Sequence, residues 1–130
     1  MYRLLLAFSF LLLFACSPQL KLQNQLSGKW DMVGIQIYNE DASPQLNPMH
    51  NRWISFDPSG SFASGSGDQQ ENAGSYVLNQ PEARLDLDSD AGPGDDSSWR
   101  LTFRNDSLLM RGIGTDRQEN SELILVRQLK

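Results

Sequence analysis

From Ser27 onward, apolar side chains recur at every second position in short runs separated by Gly, Pro, Asn and Asp, and no window sustains a helical period of 3.6 residues. Side chains along a strand point alternately to opposite faces, so such runs are strands with one wet side. Eight are predicted, at about 28–38, 51–57, 60–66, 73–79, 83–88, 98–104, 107–113 and 121–129. Leu85 and Leu87 oppose Arg84, Asp86 and Asp88; Trp99, Leu101 and Phe103 oppose Arg100, Thr102 and Arg104; Leu123, Leu125 and Arg127 share a face with Leu129. The first strand changes phase, with Trp30 and Met32 on one parity and Val33, Ile35 and Ile37 on the other, which predicts a bulge or bend around Asp31–Gly34. Asp57-Pro58-Ser59-Gly60, Asn79-Gln80-Pro81 and Asn105-Asp106 supply turns, and Ser64–Gln70 reads as a flexible turn. Successive hairpins make an antiparallel meander, either a sandwich or a barrel; closure would remove the exposed edges that a sandwich must protect.

The residues before this pattern read as an address. An amino terminus with Arg3, an apolar run from Leu4 to Phe14 and the small Ala15 precede the lone Cys16. The run is shorter than the roughly 20 residues a bilayer span requires. Leu13-Phe14-Ala15-Cys16 resembles the lipobox of bacterial lipoproteins, which implies that 1–15 is a signal peptide and that Cys16 becomes a diacylated N-terminus. Two acyl chains suffice for stable attachment. Residues 16–26 are then expected to be the lipid-anchor Cys and a polar tether, with the domain proper at 27–130. Ser17 stands where an Asp would resemble an inner-membrane retention signal, which implies the bacterial outer membrane, and no acidic run of the kind associated with surface export stands beside Cys16, so a periplasm-facing attachment is expected.

Leu26-Ser27-Gly28-Lys29-Trp30 resembles the Gly-x-Trp signature of the lipocalin and wider calycin group, and Arg127 stands where that group packs an Arg across the same Trp. The run from Ile54-x-Phe56-Asp57-Pro58-x-Gly60-x-Phe62 through Gly74-x-Tyr76, Leu85-x-Leu87, Trp99-x-Leu101-x-Phe103 and Leu108-x-Met110 to Leu123-x-Leu125-x-Arg127 is similar to lipocalin-like lipoproteins of Bacteroidetes envelopes. The resemblance implies an all-β, eight-stranded antiparallel up-and-down barrel, closed by Gly28, Trp30 and Arg127. Its candidate ligand-lining residues are Phe56, Phe62, Tyr76, Leu87, Trp99, Leu101, Phe103 and Met110, which serve equally well as filled core. The chain is shorter than a full lipocalin and has no amphipathic stretch before its C-terminus, so the interior is expected to be small or filled. The connection 39–50 is the candidate mouth loop, with Leu46, Met49 and His50.

Chemistry is sparsely represented. One Cys and one His exclude an internal disulfide and multi-Cys or His-rich metal centres. Asp86-x-Asp88-x-Asp90-x-Gly92 resembles the start of a calcium loop, but Gly falls one place late and Ser97 stands where the bidentate Glu belongs. Asp86 and Asp88 belong on a solvated strand face, which leaves Asp90, Asp95 and Asp96 as a weak cation candidate, and the expectation is no metal and no cofactor. His50 sits in a polar loop without a nucleophile beside it, so no catalytic residue is assigned.

With 11 basic and 16 acidic residues the net charge is −5, and removing 1–15 would make it −6. Scattered arginines on an acidic chain do not form the basic stripe that nucleic acid requires. The leading expectation is a membrane-anchored, non-catalytic protein that binds a small apolar ligand or an envelope partner. The alternatives are an interaction or inhibitor module on a filled barrel, using its acidic edges or the 39–50 loop, and a hydrolase or isomerase using loop carboxylates.

Overall fold

The computed structural model describes residues 18–129. The expected signal peptide 1–15 and the lipidation site Cys16 lie outside the described residues. The strands are β1 (Gly28–Ile37), β2 (Glu40–Asp41), β3 (Arg52–Phe56), β4 (Ser61–Ser66), β5 (Gln69–Asn79), β6 (Arg84–Ser89), β7 (Ser97–Arg104), β8 (Ser107–Ile113) and β9 (Ser121–Arg127). Short helices are α1 (Pro18–Leu26), α2 (Ser43–Leu46) and α3 (Asp116–Glu119), with a 3-10 turn at Pro93–Asp95. The eight longer strands follow one another antiparallel around the sheet, β9 returns to pair with β1, and β2 is a small flap on β1. The result is a closed, lipocalin-like up-and-down barrel.

The alternation places the core. Ile54 and Phe56, Tyr76 and Leu78, Leu85 and Leu87, and Leu108 and Met110 are buried as successive inward positions on their strands. The register of β1 against β9 slips between Met32 and Gly34, so Trp30 and Ile35 are both buried although their parities differ, and Val33 is pushed out to solvent. A bent first strand lets a short sheet curl far enough to close. Asn105 takes a positive φ in the two-residue loop joining β7 to β8, and the Asp57 carboxylate turns the chain between β3 and β4 by accepting the Ser59 N–H at 2.8 Å. Hydrogen bonding by Ser59 holds the Asp57 carboxyl below its ordinary pKa.

Three expectations are corrected. The segment read as a polar tether is helical from Pro18 to Leu26, and its Leu22 and Leu26, four residues apart on one face, are buried in the barrel core. Burying those two leucines outweighs the weak amphipathic signal of a Gln-rich sequence. The Ser64–Gln70 turn is tighter than expected: β4 runs to Ser66 and β5 begins at Gln69, leaving Gly67 and Asp68 as the loop. A bulge between Ser64 and Gly65 absorbs the mismatch, and a Cβ on Gly65 would stand 2.0 Å from the Gln69 carbonyl oxygen. Leu129 does not share the inward face of β9; the strand ends at Arg127 and Leu129 is 82% exposed.

Candidate functional site at the open end of the barrel

The connections alternate between two ends. Those at 57–60, 80–83 and 105–106, with α1, lie at the end where β1 begins; those at 38–51, 67–68, 90–96 and 114–120 lie at the other. The first end is shut. The Trp30 indole N–H donates to the Leu26 carbonyl at 2.8 Å, and the Arg127 guanidinium lies 4.3 Å from the Trp30 ring centroid. Arg127 donates to the carbonyls of Ser27, at 2.6 Å, and Gln25. A helix C-terminus exposes unpaired carbonyls and a partial negative charge, so a cation held there satisfies both. Gly28, at φ +120°, keeps the passage clear: a Cβ would meet the Arg127 guanidinium at 2.9 Å. The structure therefore brings Gly28, Trp30 and Arg127 together around the end of α1.

Phe56, Tyr76, Leu101 and Phe103 pack on this closed half. Phe56 and Tyr76 meet edge to face at 5.4 Å, Phe103 stands 6.3 Å from Trp30, and Leu101 is buried in the same cluster. The Tyr76 hydroxyl donates to the Asp57 carbonyl at 2.6 Å, tying β5 to the β3–β4 turn, and burial raises its pKa.

The other end holds a cavity of about 170 Å³. Phe62, Leu87, Trp99 and Met110, half of the expected lining set, form it together with Met32, Ile54 and Leu123. Arg52, Ser64, Asn72, Asp95 and Ser97 edge it with polar groups. All but Asp95 lie on strands and continue an inward parity toward the mouth: Arg52 before Ile54, Ser64 after Phe62, Asn72 before Gly74 and Tyr76, Ser97 before Trp99. Polar residues continuing an apolar parity at a strand's end are the signal that would have located this rim in the sequence.

The rim is held by its own hydrogen bonds. The Trp99 indole N–H donates to Ser97 Oγ at 2.8 Å. The buried Ser89 hydroxyl donates to Asn72 Oδ1 at 2.7 Å, and its backbone N–H is taken by Asp96 Oδ1 at 2.8 Å. Arg52 donates to the Leu46 carbonyl at 3.1 Å and faces Glu71 at 3.6 Å. Asp96 is thus a structural clamp on the 90–96 loop. Among the described residues no three Asp, Glu, His or Cys side chains gather as a metal site would need, so Asp90, Asp95 and Asp96 are not brought together as ligands.

The 39–50 loop is ordered differently from a lid. Buried Asn47 donates to the Met32 carbonyl at 3.0 Å and accepts from the N–H groups of Asn51 and Arg52, stapling the loop beside the bulge. Leu46, Met49 and His50 consequently face outward, with Met49 76% exposed, and none of them lines the cavity. A larger groove of about 580 Å³ runs outside β5–β8, where Arg84 and Asp86 pair with each other and Asp96 is engaged by the Ser89 N–H. Asp86 accepts from Ser98 at 2.6 Å and from Arg84 at 3.0 Å, and those two partners, Ser98 first, hold its carboxyl below the usual range.

No protein-family model matches the chain, and no curated protein matches it. Solved structures share its fold, among them two from Bacteroides. A DUF4847 family protein from Bacteroides vulgatus superposes with a TM-score of 0.58 at 12% identity, over 79% of this chain and 94% of that one. A lipocalin-like protein from Bacteroides uniformis gives 0.57 at 14% identity, over 80% and 99% of the two chains.

Proposed function

We propose that this chain is a non-catalytic binding protein that takes a small, largely apolar molecule into the open end of its barrel. The observation that carries the reading is the 170 Å³ cavity, floored by Met32, Ile54, Phe62, Leu87, Met110 and Leu123 in a barrel whose opposite end is plugged. A cavity of about 150 Å³ admits a benzene ring, whereas drug-sized ligands occupy about 300 Å³ or more. One ring or a short branched chain fits, and a whole lipid does not. Aliphatic, aromatic and thioether side chains line the cavity, and the hydroxyl, amide and charged groups of Ser64, Asn72, Ser97, Arg52 and Asp95 edge it, a lining suited to retention. By the lipobox resemblance the protein is anchored through Cys16 to the outer membrane and faces the periplasm.

Benzyl alcohol is a suitable probe. Its titration should shift the NMR methyl signals of Met32 and Met110 and leave exposed Met49 unmoved; equal shifts at all three, or none, would overturn the reading. Leu123→Trp, which fills the cavity, should weaken binding more than tenfold. For the anchor, the mass of detergent-extracted protein should correspond to a diacylated Cys16 N-terminus, and intact residues 1–15 would refute it.

A second reading, a protein-interaction module, is favoured by one observation. The stapled 39–50 loop presents Leu46 and Met49 to solvent as a fixed apolar pair. Under that reading Met49→Lys abolishes capture of an envelope protein and leaves benzyl alcohol binding intact.

A further inference from the structure

The four connections at the open end carry Glu40 and Asp41, then Asp68, then Asp90, Asp95 and Asp96, then Asp116 and Glu119, against Arg117 as their one Lys or Arg. The connections at the closed end carry fewer charges, Asp57, Glu82 and Asp106 against Lys21 on α1, with Arg127 laid across the end of that helix. Charge of one sign gathered around a concave opening focuses the field there and raises the local concentration of the opposite sign.

Two charged side chains reach the cavity itself, and they are not equivalent. Arg52 is already engaged by the Leu46 carbonyl and the Glu71 carboxylate, so its charge is matched inside the protein. Asp95 lines the same cavity, and its solvent-exposed side chain has no hydrogen bond or ion pair among the described residues. Trp99 lines the same cavity, its indole N–H bonded to Ser97, and an aromatic wall favours the polarised C–H groups around an ammonium. The carbonyl oxygen of Asn72 is taken up by Ser89.

From this arrangement we infer that the ligand class of the open-end cavity is a small organic cation: an amine or alkylammonium whose apolar body enters among Met32, Leu87, Met110 and Leu123 and whose positive head stays at the rim beside Asp95 and Trp99. The inference rests on the cavity reading above and adds the charge of the occupant. It assigns Asp95 as the specificity-determining residue. The acidic connections act at longer range, by raising the rate of encounter.

Three probes of one ring and different charge test it on the full chain: benzylammonium, benzyl alcohol and benzoate, titrated by calorimetry at low salt. Benzylammonium should bind about tenfold more tightly than benzyl alcohol, and benzoate more weakly than either. Asp95→Asn should bring benzylammonium to within about threefold of benzyl alcohol, with an unchanged urea denaturation midpoint showing that the variant is folded. Equal binding of benzylammonium and benzyl alcohol, tighter binding of benzoate, or a preference that survives Asp95→Asn would each overturn the cation assignment and leave the cavity reading standing. Failure of all three probes to bind would overturn both.

Discussion

At the closed end the carbonyls of Gln25, Leu26 and Ser27 are each taken by a side chain from β1 or β9, whereas at the open end a carboxylate and an aromatic wall border a cavity that no protein group fills. The same eight strands serve both. Bulky inward side chains, Trp30, Phe56, Tyr76 and Phe103, occupy one half; smaller or polar inward residues, Ser64, Asn72 and Ser97, occupy the other and leave space. A barrel this size fills if every inward position is large, so a cavity survives where the strands taper to Ser and Asn. Stability should reside at one end and recognition at the other.

Trp30→Ala should be the most damaging change, about 3–5 kcal/mol by urea denaturation, because it empties a fully buried site and unties both α1 and Arg127. A loss below about 1 kcal/mol would break the contrast between the ends. Leu26→Ala should cost about 3 kcal/mol if α1 belongs to the core as its complete burial indicates; a tether residue would cost almost nothing. Arg127→Ala should cost about 2 kcal/mol, and Arg127→Lys should restore only part, since an ammonium cannot span two carbonyls while lying flat on an indole. At the open end Arg52→Ala should cost less than about 1 kcal/mol, its pairing with Glu71 being partly exposed.

The smallest effects are those of acid. Asp57 at the closed end and Asp41 at the open end both have carboxyls held below their ordinary range, by Ser59 and Ser43 respectively. A lowered folded-state pKa stabilises the protein above the unfolded value, about 3.9, and that contribution disappears as pH falls through the folded value. Denaturation midpoints should therefore decline below about pH 4, and Asp57→Asn or Asp41→Asn should each flatten that decline slightly. An unchanged pH profile in both variants would show that neither turn contributes to acid sensitivity.

The strands, the bulge in β1 and the hairpin at Asn105-Asp106 were legible because each is a local matter of parity or turn chemistry. What parity does not encode is height along the barrel axis. Phe56 and Phe62 both point inward, yet one packs against Tyr76 at the plug and the other floors the cavity. Helix α1 was missed for a related reason. Leu22 and Leu26 are its only inward residues with described burial, too few to make a visible period, and their value comes from the barrel end they cover. The mouth loop failed differently: the residue that matters is Asn47, whose amide satisfies backbone groups of β1 and β3, and no composition argument distinguishes it from its neighbours.

The pairing of Trp30 with Arg127 also bears on the order of events in folding. Seven of the eight seams in the barrel join successive strands and can zip as hairpins while the chain lengthens, but the eighth joins β1 to β9. Its Arg127–Ser27 bond spans 100 residues. Until the last strand has arrived, β1 and β8 present unpaired edges, α1 lacks its cation, and the sheet can curl but not lock. Closure of that seam completes the ring and leaves none of the eight strands with an unpaired edge. Changes there should govern how long the native state lasts as well as how stable it is, while changes at the acidic mouth should leave that lifetime untouched.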